Sequence, residues 1–233
     1  MAHRTARTVV TWCVAVLCIA LAGCSRSVGG AAEPATGGTA TAGLIQPAQL
    51  ADLLSPSASL AVVPGSPLVE HDLQAILFTG ADPAGCHGVV GYGHYPLFPS
   101  NYTGREARTQ RDDATNQHQL LEVAATYPSD FKASRFLDSV RTTVSGCQRT
   151  VTAWADDESK TTVTPAPLIP GSPDVAHWTT NLTGQQWICD FAVIVKANVI
   201  AQIETCSPDR SIDIEPLVAK RLKTIQDLLS STA

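Results

Sequence analysis

The sequence predicts an α+β domain: a mostly antiparallel sheet packed on one face by helices and held by two disulfides. Three observations predict it. Strand-like runs from Trp187 to Val195 and from Val199 to Glu204, joined through Lys196-Ala197-Asn198, mark a hairpin. Two apolar stripes recur at helical spacing, one from Ala133 to Val144 and one from Ile214 to Leu229. Four cysteines, Cys86, Cys147, Cys189 and Cys206, fall in the stretch 44–233, long enough for one domain with a sizeable core.

The elements follow in order. Gln46 to Leu54 reads as a short helix, with Leu50, Leu53 and Leu54 on one face and Pro56 after it. Thr79 to Gly91 holds turn residues around Cys86, and Tyr92 to Asp113, polar and rich in Tyr, Gly and Pro, reads as an irregular loop. Gln119 to Thr126 is a strand. Ser129 suits the N-cap of the next helix, whose stripe is Ala133, Phe136, Leu137, Val140 and Val144, with Gly146 just past its end. Strands follow over Thr150 to Ala155, Thr161 to Thr164 and Val175 to Leu182, then the hairpin. The chain closes with a helix striped by Ile214, Leu217, Val218, Leu222, Ile225 and Leu229. Pro216 is tolerated there because it falls in the first turn. No internal repeat interrupts this order.

Ahead of the domain, Arg4 and Arg7 precede an apolar run from Val9 to Ala22 that ends in Leu21-Ala22-Gly23-Cys24. That is the layout of a secretory signal, and a cysteine directly after small and apolar residues looks like a bacterial lipobox. The resemblance implies a diacylglyceryl thioether on Cys24 and cleavage of Gly23-Cys24. The run is shorter than the roughly 20 residues a membrane span needs, and Thr11, Cys13 and Cys18 interrupt it. Residues 1–23 are therefore read as a lipoprotein signal peptide. Residues 24–43, nearly all Gly, Ala, Thr, Ser and Pro, bury too little area to offset chain entropy. They read as a flexible tether to the domain over 44–233. The expected location is the outer face of the cell membrane, with the lipid on Cys24 as the membrane partner.

Charge excludes some functions. Without the signal, 14 Lys+Arg stand against 21 Asp+Glu, a net charge of −7. A nucleic-acid binder needs a basic face, so nucleic acid is not an expected partner. The even number of cysteines in an exported domain points to disulfides. Three pairings are possible, and Cys86–Cys147 with Cys189–Cys206 is favoured, because the second pair brackets the hairpin. No CxxC and no Cys-His ligand spacing supports a metal site, and no cofactor is implied.

Among residues able to do chemistry, His87, His94 and Tyr92 share one expected loop beside Cys86. They read as surface loop residues more readily than as a ligand or metal contact. His71, His118 and His177 stand elsewhere, and His3 goes with the signal. No Gly-x-Ser-x-Gly elbow occurs, and Gly65-Ser66-Pro67 and Gly171-Ser172-Pro173 are turn chemistry. Asp112-Asp113 and Asp156-Asp157-Glu158 lack a calcium-loop frame and read as solvated turns. Trp154, Trp178 and Trp187 lie on expected strands and read as core before ligand-stacking, with Trp187 shielding the second disulfide. Lys220, Arg221 and Lys223 flank the last apolar stripe, which reads as packing on the sheet.

Trp187-Ile188-Cys189, Ala197-Asn198-Val199-Ile200, Glu204-Thr205-Cys206 and the terminal amphipathic helix together resemble the PknH-like extracellular domain. This is the external sensor domain of a mycobacterial receptor Ser/Thr kinase, found also on free-standing lipoproteins. Cys86-His87-Gly88-Val89 with Tyr92 to Tyr102 is similar to the family's first cysteine region, and the helix ending at Cys147 to its second. The resemblance covers roughly residues 44 to 233. It implies pairing of first with second and third with fourth cysteine, and a helix-flanked antiparallel sheet with a deep cleft for an unidentified ligand. One position departs. Val144 stands where the family often carries Trp, which bears on packing at the first disulfide and on any aromatic cleft wall there.

Two function classes follow. One is a non-catalytic binding module, an envelope lipoprotein whose cleft holds a small molecule, lipid or glycan, or docks a protein partner. The other is a secreted serine hydrolase with a dispersed Ser/His/Asp site. The anchor, the tether, the missing catalytic frame and the resemblance favour the first.

Overall fold

Residues 191–195, Phe-Ala-Val-Ile-Val, are apolar at every position, and this run decides the layering. A strand sends successive side chains to opposite faces, so a continuous apolar run is buried on both. In the computed structural model, which describes residues 43–63, 65–71 and 78–231, Phe191, Val193 and Val195 join one core and Ala192 and Ile194 another. The signal segment, Cys24 and all of the tether except Gly43 lie outside the described residues.

Among the described residues the sheet has ten strands: β1 (Ala61–Val63), β2 (Ser66–His71), β3 (Gly80–Asp82), β4 (Gly104–Asp112), β5 (Gln119–Thr126), β6 (Val151–Trp154), β7 (Lys160–Pro165), β8 (Val175–Leu182), β9 (Ile188–Lys196) and β10 (Val199–Ser207). Their order across the sheet is β1-β2-β4-β5-β10-β9-β8-β7-β6-β3, and each of these neighbouring pairs is antiparallel. The expected hairpin is β9–β10, turning at Ala197-Asn198, where Ala197 takes a left-handed φ of 51°.

Helices cover both faces rather than one, which corrects the single packed face expected from sequence. On one side lie the short α1 (His87–Val90) and α2 (Ala133–Gly146). Their Val89, Val90, Leu137, Val140 and Val144 meet Val123, Trp178 and Phe191. On the other lie a 3-10 helix, Pro47–Leu53, and the closing α3 (Ile214–Ser231). Leu50, Leu53, Leu217, Val218 and Ile225 pack there with Leu120, Ala124, Ala201 and Ile203. Trp178 is fully buried, stacked on Phe191 at 5.2 Å, with its indole N–H donated to the Val89 carbonyl at 2.9 Å. Trp154 and Trp187 are partly buried. Val144 is fully buried in the same core.

Other expectations shift locally. The second part of the stretch read as an irregular loop, Gly104–Asp112, is β4, which pairs with β5 from Gly104↔Thr126 to Arg111↔Gln119. Its Arg105-Glu106-Ala107-Arg108 sequence lacks an apolar signal, so the partner strand imposes the extended form. β3 forms within the stretch read as turn, and β1 and β2 had no sequence signal; Ser66 and Pro67 belong to β2. The helix near Ser129 starts at Ala133 instead, after a turn in which the Phe131 N–H donates to the Pro128 carbonyl, and Gly146 is its last residue. The first helix is a 3-10 turn with Pro47 leading and the Gln46 N–H donated to Gln49 Oε1 at 2.8 Å.

Among the described residues two disulfides are present. Cys86–Cys147 ties the loop before α1 to the end of α2, and Cys189–Cys206 joins residues directly opposite in the β9–β10 register. Arg221, one of the basic residues beside the last stripe, faces inward. It forms an ion pair with Glu122 of β5 in which both side chains are almost wholly buried. Glu122 also accepts the Ser55 N–H at 2.7 Å, so one carboxylate joins α3, the end of the 3-10 helix and β5.

Candidate ligand-binding groove

Strand alternation puts Val175, His177 and Thr179 of β8 on the α3 face, opposite Ile194, Ala192 and Asp190 of β9. The segment leaving β7 continues antiparallel beside β8, held by the Ile169 N–H donated to the His177 carbonyl at 2.8 Å. Between this segment and the first turns of α3 lies a groove of two joined lobes. The larger, about 420 Å³, is lined by His177, Asp190, Arg210, Asp213 and Glu215; the smaller, about 180 Å³, runs along Pro170, Val175, Val218 and Leu222. Ile169, 38% exposed, stands at the shared rim.

The polar lobe is tightly wired. Asp190 is almost wholly buried. It accepts the Thr179 hydroxyl at 2.7 Å and two N–H groups of Arg210, from Nε at 3.0 Å and Nη2 at 2.6 Å. The Arg210 side chain stays 49% exposed, and a fork geometry of this kind makes a strong charge-assisted pair. His177 Nδ1 lies 3.0 Å from Glu215 Oε1. Asp213 caps α3, its Oδ1 accepting the Glu215 N–H at 3.1 Å. His177 Nε2 is buried without a hydrogen-bond partner, 3.9 Å from Asp190 Oδ1.

The residues singled out from sequence go elsewhere. His87, His94 and Tyr92 do come together, on the α1–α2 side: the two imidazoles stack at 4.0 Å, and His87 Nε2 lies 2.6 Å from the Phe78 carbonyl oxygen. They are packing groups rather than surface residues. Burial, with His87 and Arg105 nearby, lowers the His94 pKa to about 4, and burial pushes the Tyr92 phenol well above its ordinary range. Asp112 is not a solvated turn residue but is fully buried. Its carboxylate accepts the backbone N–H groups of Thr115, Gln117 and His118 and lies 2.9 Å from His118 Nδ1, organising the β4–β5 turn. Asp113 lies against His71 at 2.7 Å. Asp156-Asp157-Glu158 is an exposed turn, with the Ser159 N–H donated to Asp157 Oδ1.

Among the described residues one set, Cys189, Glu204 and Cys206, clusters as metal ligands would, but the two sulfurs are bonded to each other and cannot ligate as thiolates. Among the described residues no histidine hydrogen-bonds both a serine and an acid, the geometry a serine hydrolase requires.

The groove residues escaped sequence reading, His177 being named there only as one of the histidines. Their signal was a polar residue inside an apolar strand: Asp190 between Cys189 and Phe191, and His177 beside Trp178. Such residues are buried only when partnered.

The family model of the PknH-like extracellular domain matches residues 45–225. The chain belongs to that family. The crystal structure of the extracellular domain of PknH from Mycobacterium tuberculosis is similar in fold, with a TM-score of 0.65 at 19% identity, covering 81% of this chain and 98% of that one. No curated protein matches the chain. The groove and both disulfides of this PknH-like domain fall within the matched residues. Among the described residues no helix is long and apolar enough to cross a membrane.

Proposed function

We propose that this PknH-like extracellular domain is a non-catalytic, sensor-like binding module whose ligand occupies the groove between β8 and α3. The observation that carries the reading is His177 Nε2, a buried polar atom with no partner, on the wall of the groove. A buried polar atom left unpaired costs about 1–3 kcal/mol, and a bound ligand recovers it. The lobe of about 420 Å³ lies within the usual range of about 300–1,000 Å³ for small-molecule sites.

The anchor belongs to the same proposal. Cys24 carries the lipid, residues 1–23 are its signal, and 24–43 tether the domain to the outer face of the membrane. One acyl chain binds only marginally, and the lipoprotein modification supplies more than one. Native mass spectrometry of the protein purified from its own envelope tests both parts. The expected result is a mass that includes the lipid and a carried small molecule, the latter lost in His177→Ala. A chain that carries no molecule, or the same one in His177→Ala, contradicts the groove; Cys24→Ala retaining the lipid mass contradicts the anchor.

A further inference from the structure

The hydrogen-bonding sense of the groove limits what it can hold. A carboxylate only accepts, so Glu215 Oε1, 3.0 Å from His177 Nδ1, draws the imidazole proton to Nδ1. Nε2 then presents a lone pair, and the His177 side chain is only 10% exposed. Whatever meets it must bring a donor. Arg210 has the opposite sense. Its Nε and Nη2 donate to Asp190, and a guanidinium has five N–H groups in all, so the half-exposed remainder offers donors to the same lobe.

Three ligand classes can be compared on these groups. An anion suits Arg210 but confronts Asp190, Asp213, Glu215 and the Nε2 lone pair. An ammonium suits those acceptors but sits beside the guanidinium and leaves it unanswered. A hydroxyl both donates and accepts, and adjacent hydroxyls do so a few ångströms apart without net charge. The lobe lines three carboxylates against one guanidinium, which weighs further against an anion. Next to it, Val175, Val218 and Leu222 give an apolar wall for a ring face or a short hydrocarbon arm.

We propose that the groove recognises the vicinal hydroxyls of a saccharide, with His177 Nε2 and Glu215 accepting from them and Arg210 donating to them. This rests on the groove being the ligand site. The saccharide can be free or the head of a glycolipid, and the apolar lobe separates the two sources.

Saturation-transfer NMR on the full chain in phosphatidylcholine nanodiscs tests it, with empty nanodiscs as the blank. The probes are methyl and butyl glucoside and mannoside, butyl phosphate and butylammonium. The expected result is binding of glycosides alone, weakened about tenfold in Arg210→Ala, the loss of one or two hydrogen bonds. Arg210→Gln, which retains a donor for Asp190, guards against a folding defect and should also weaken binding. Tighter binding of butyl than methyl glycosides identifies a glycolipid head; equal binding identifies a free saccharide. Butyl phosphate or butylammonium binding better, in a His177-dependent way, overturns the saccharide and leaves the groove as the site. Glycoside signals unchanged in both Arg210 variants, or absent, overturn the saccharide. If no carried molecule is found by native mass spectrometry either, the groove reading falls with it.

Discussion

His177 of β8 and Glu215 in the first turn of α3 approach to 3.0 Å, a contact that joins the sheet to the closing helix at the mouth of the groove. Glu215 is 66% exposed there, whereas His177 is 10% exposed. An ion pair or hydrogen bond to so exposed a carboxylate contributes about 0–1 kcal/mol to stability. Glu215→Ala should therefore leave the denaturation midpoint nearly unchanged while weakening ligand binding, because it frees the His177 tautomer. A large loss of stability in this variant would show a structural role instead.

Arg221 and Glu122 should behave in the opposite way. Breaking a buried pair by removing one partner strands a charge and costs about 3–5 kcal/mol. Arg221→Met should lower urea stability by that order. Arg221→Met with Glu122→Gln removes both charges and keeps an acceptor for the Ser55 N–H, so it should recover much of the loss. Equal loss in single and double variants would mean that packing, not the unpaired carboxylate, dominates.

Asp112 contributes acid sensitivity. Burial alone would raise its pKa, but hydrogen bonds from Thr115 and His118 outweigh burial and hold it well below the ordinary value of 3.8. A depressed carboxylate contributes stability above its unfolded value and loses it as pH falls through the folded one. Asp112→Ala should cost about 1–3 kcal/mol at neutral pH, since it leaves the buried His118 N–H and ring without their acceptor. The gap to wild type should narrow below about pH 4, in pH-resolved chemical denaturation. A gap that stays constant would remove the carboxylate from the explanation.

Glu204 has the reverse sign. Burial raises its pKa from 4.5 to about 8, Oε2 lacks a partner, and Oε1 lies 3.2 Å from Cys206 Sγ, a disulfide sulfur with no proton to give. The folded chain binds this proton more tightly than the unfolded one. Ionisation in the unfolded state therefore erodes stability as pH rises from about 4.5 to about 8, with no further change above that from this group. Glu204→Gln should gain on wild type across that window. A difference independent of pH would contradict the raised value.

The hairpin β9–β10, the two long helices and the disulfide pattern were legible because each carries a local signal: apolar runs, helical stripes, cysteine positions. β4 was not, since its polar sequence becomes a strand only against β5. The second helical layer was hidden for another reason. An apolar run of five residues in β9 states that both faces are buried but not by what. The groove is assembled from the segment after β7, β8, β9, the approach to α3 and its first turns, residues 169 to 222, so no linear motif announces it. Asp112 and Arg221 illustrate the limit for charges: a polar residue reads as surface until its partners, distant or local, are seen.

The most direct test of the groove is the histidine 15N spectrum of the full chain, with His177 assigned by its absence in His177→Gln. The account predicts the proton on Nδ1, facing Glu215, and a bare Nε2. It predicts a change at Nε2 alone, with His87 and His94 undisturbed, when the ligand or a binding glycoside is added. A proton resting on Nε2 in the free protein, or a bound ligand that leaves His177 unchanged, would contradict it.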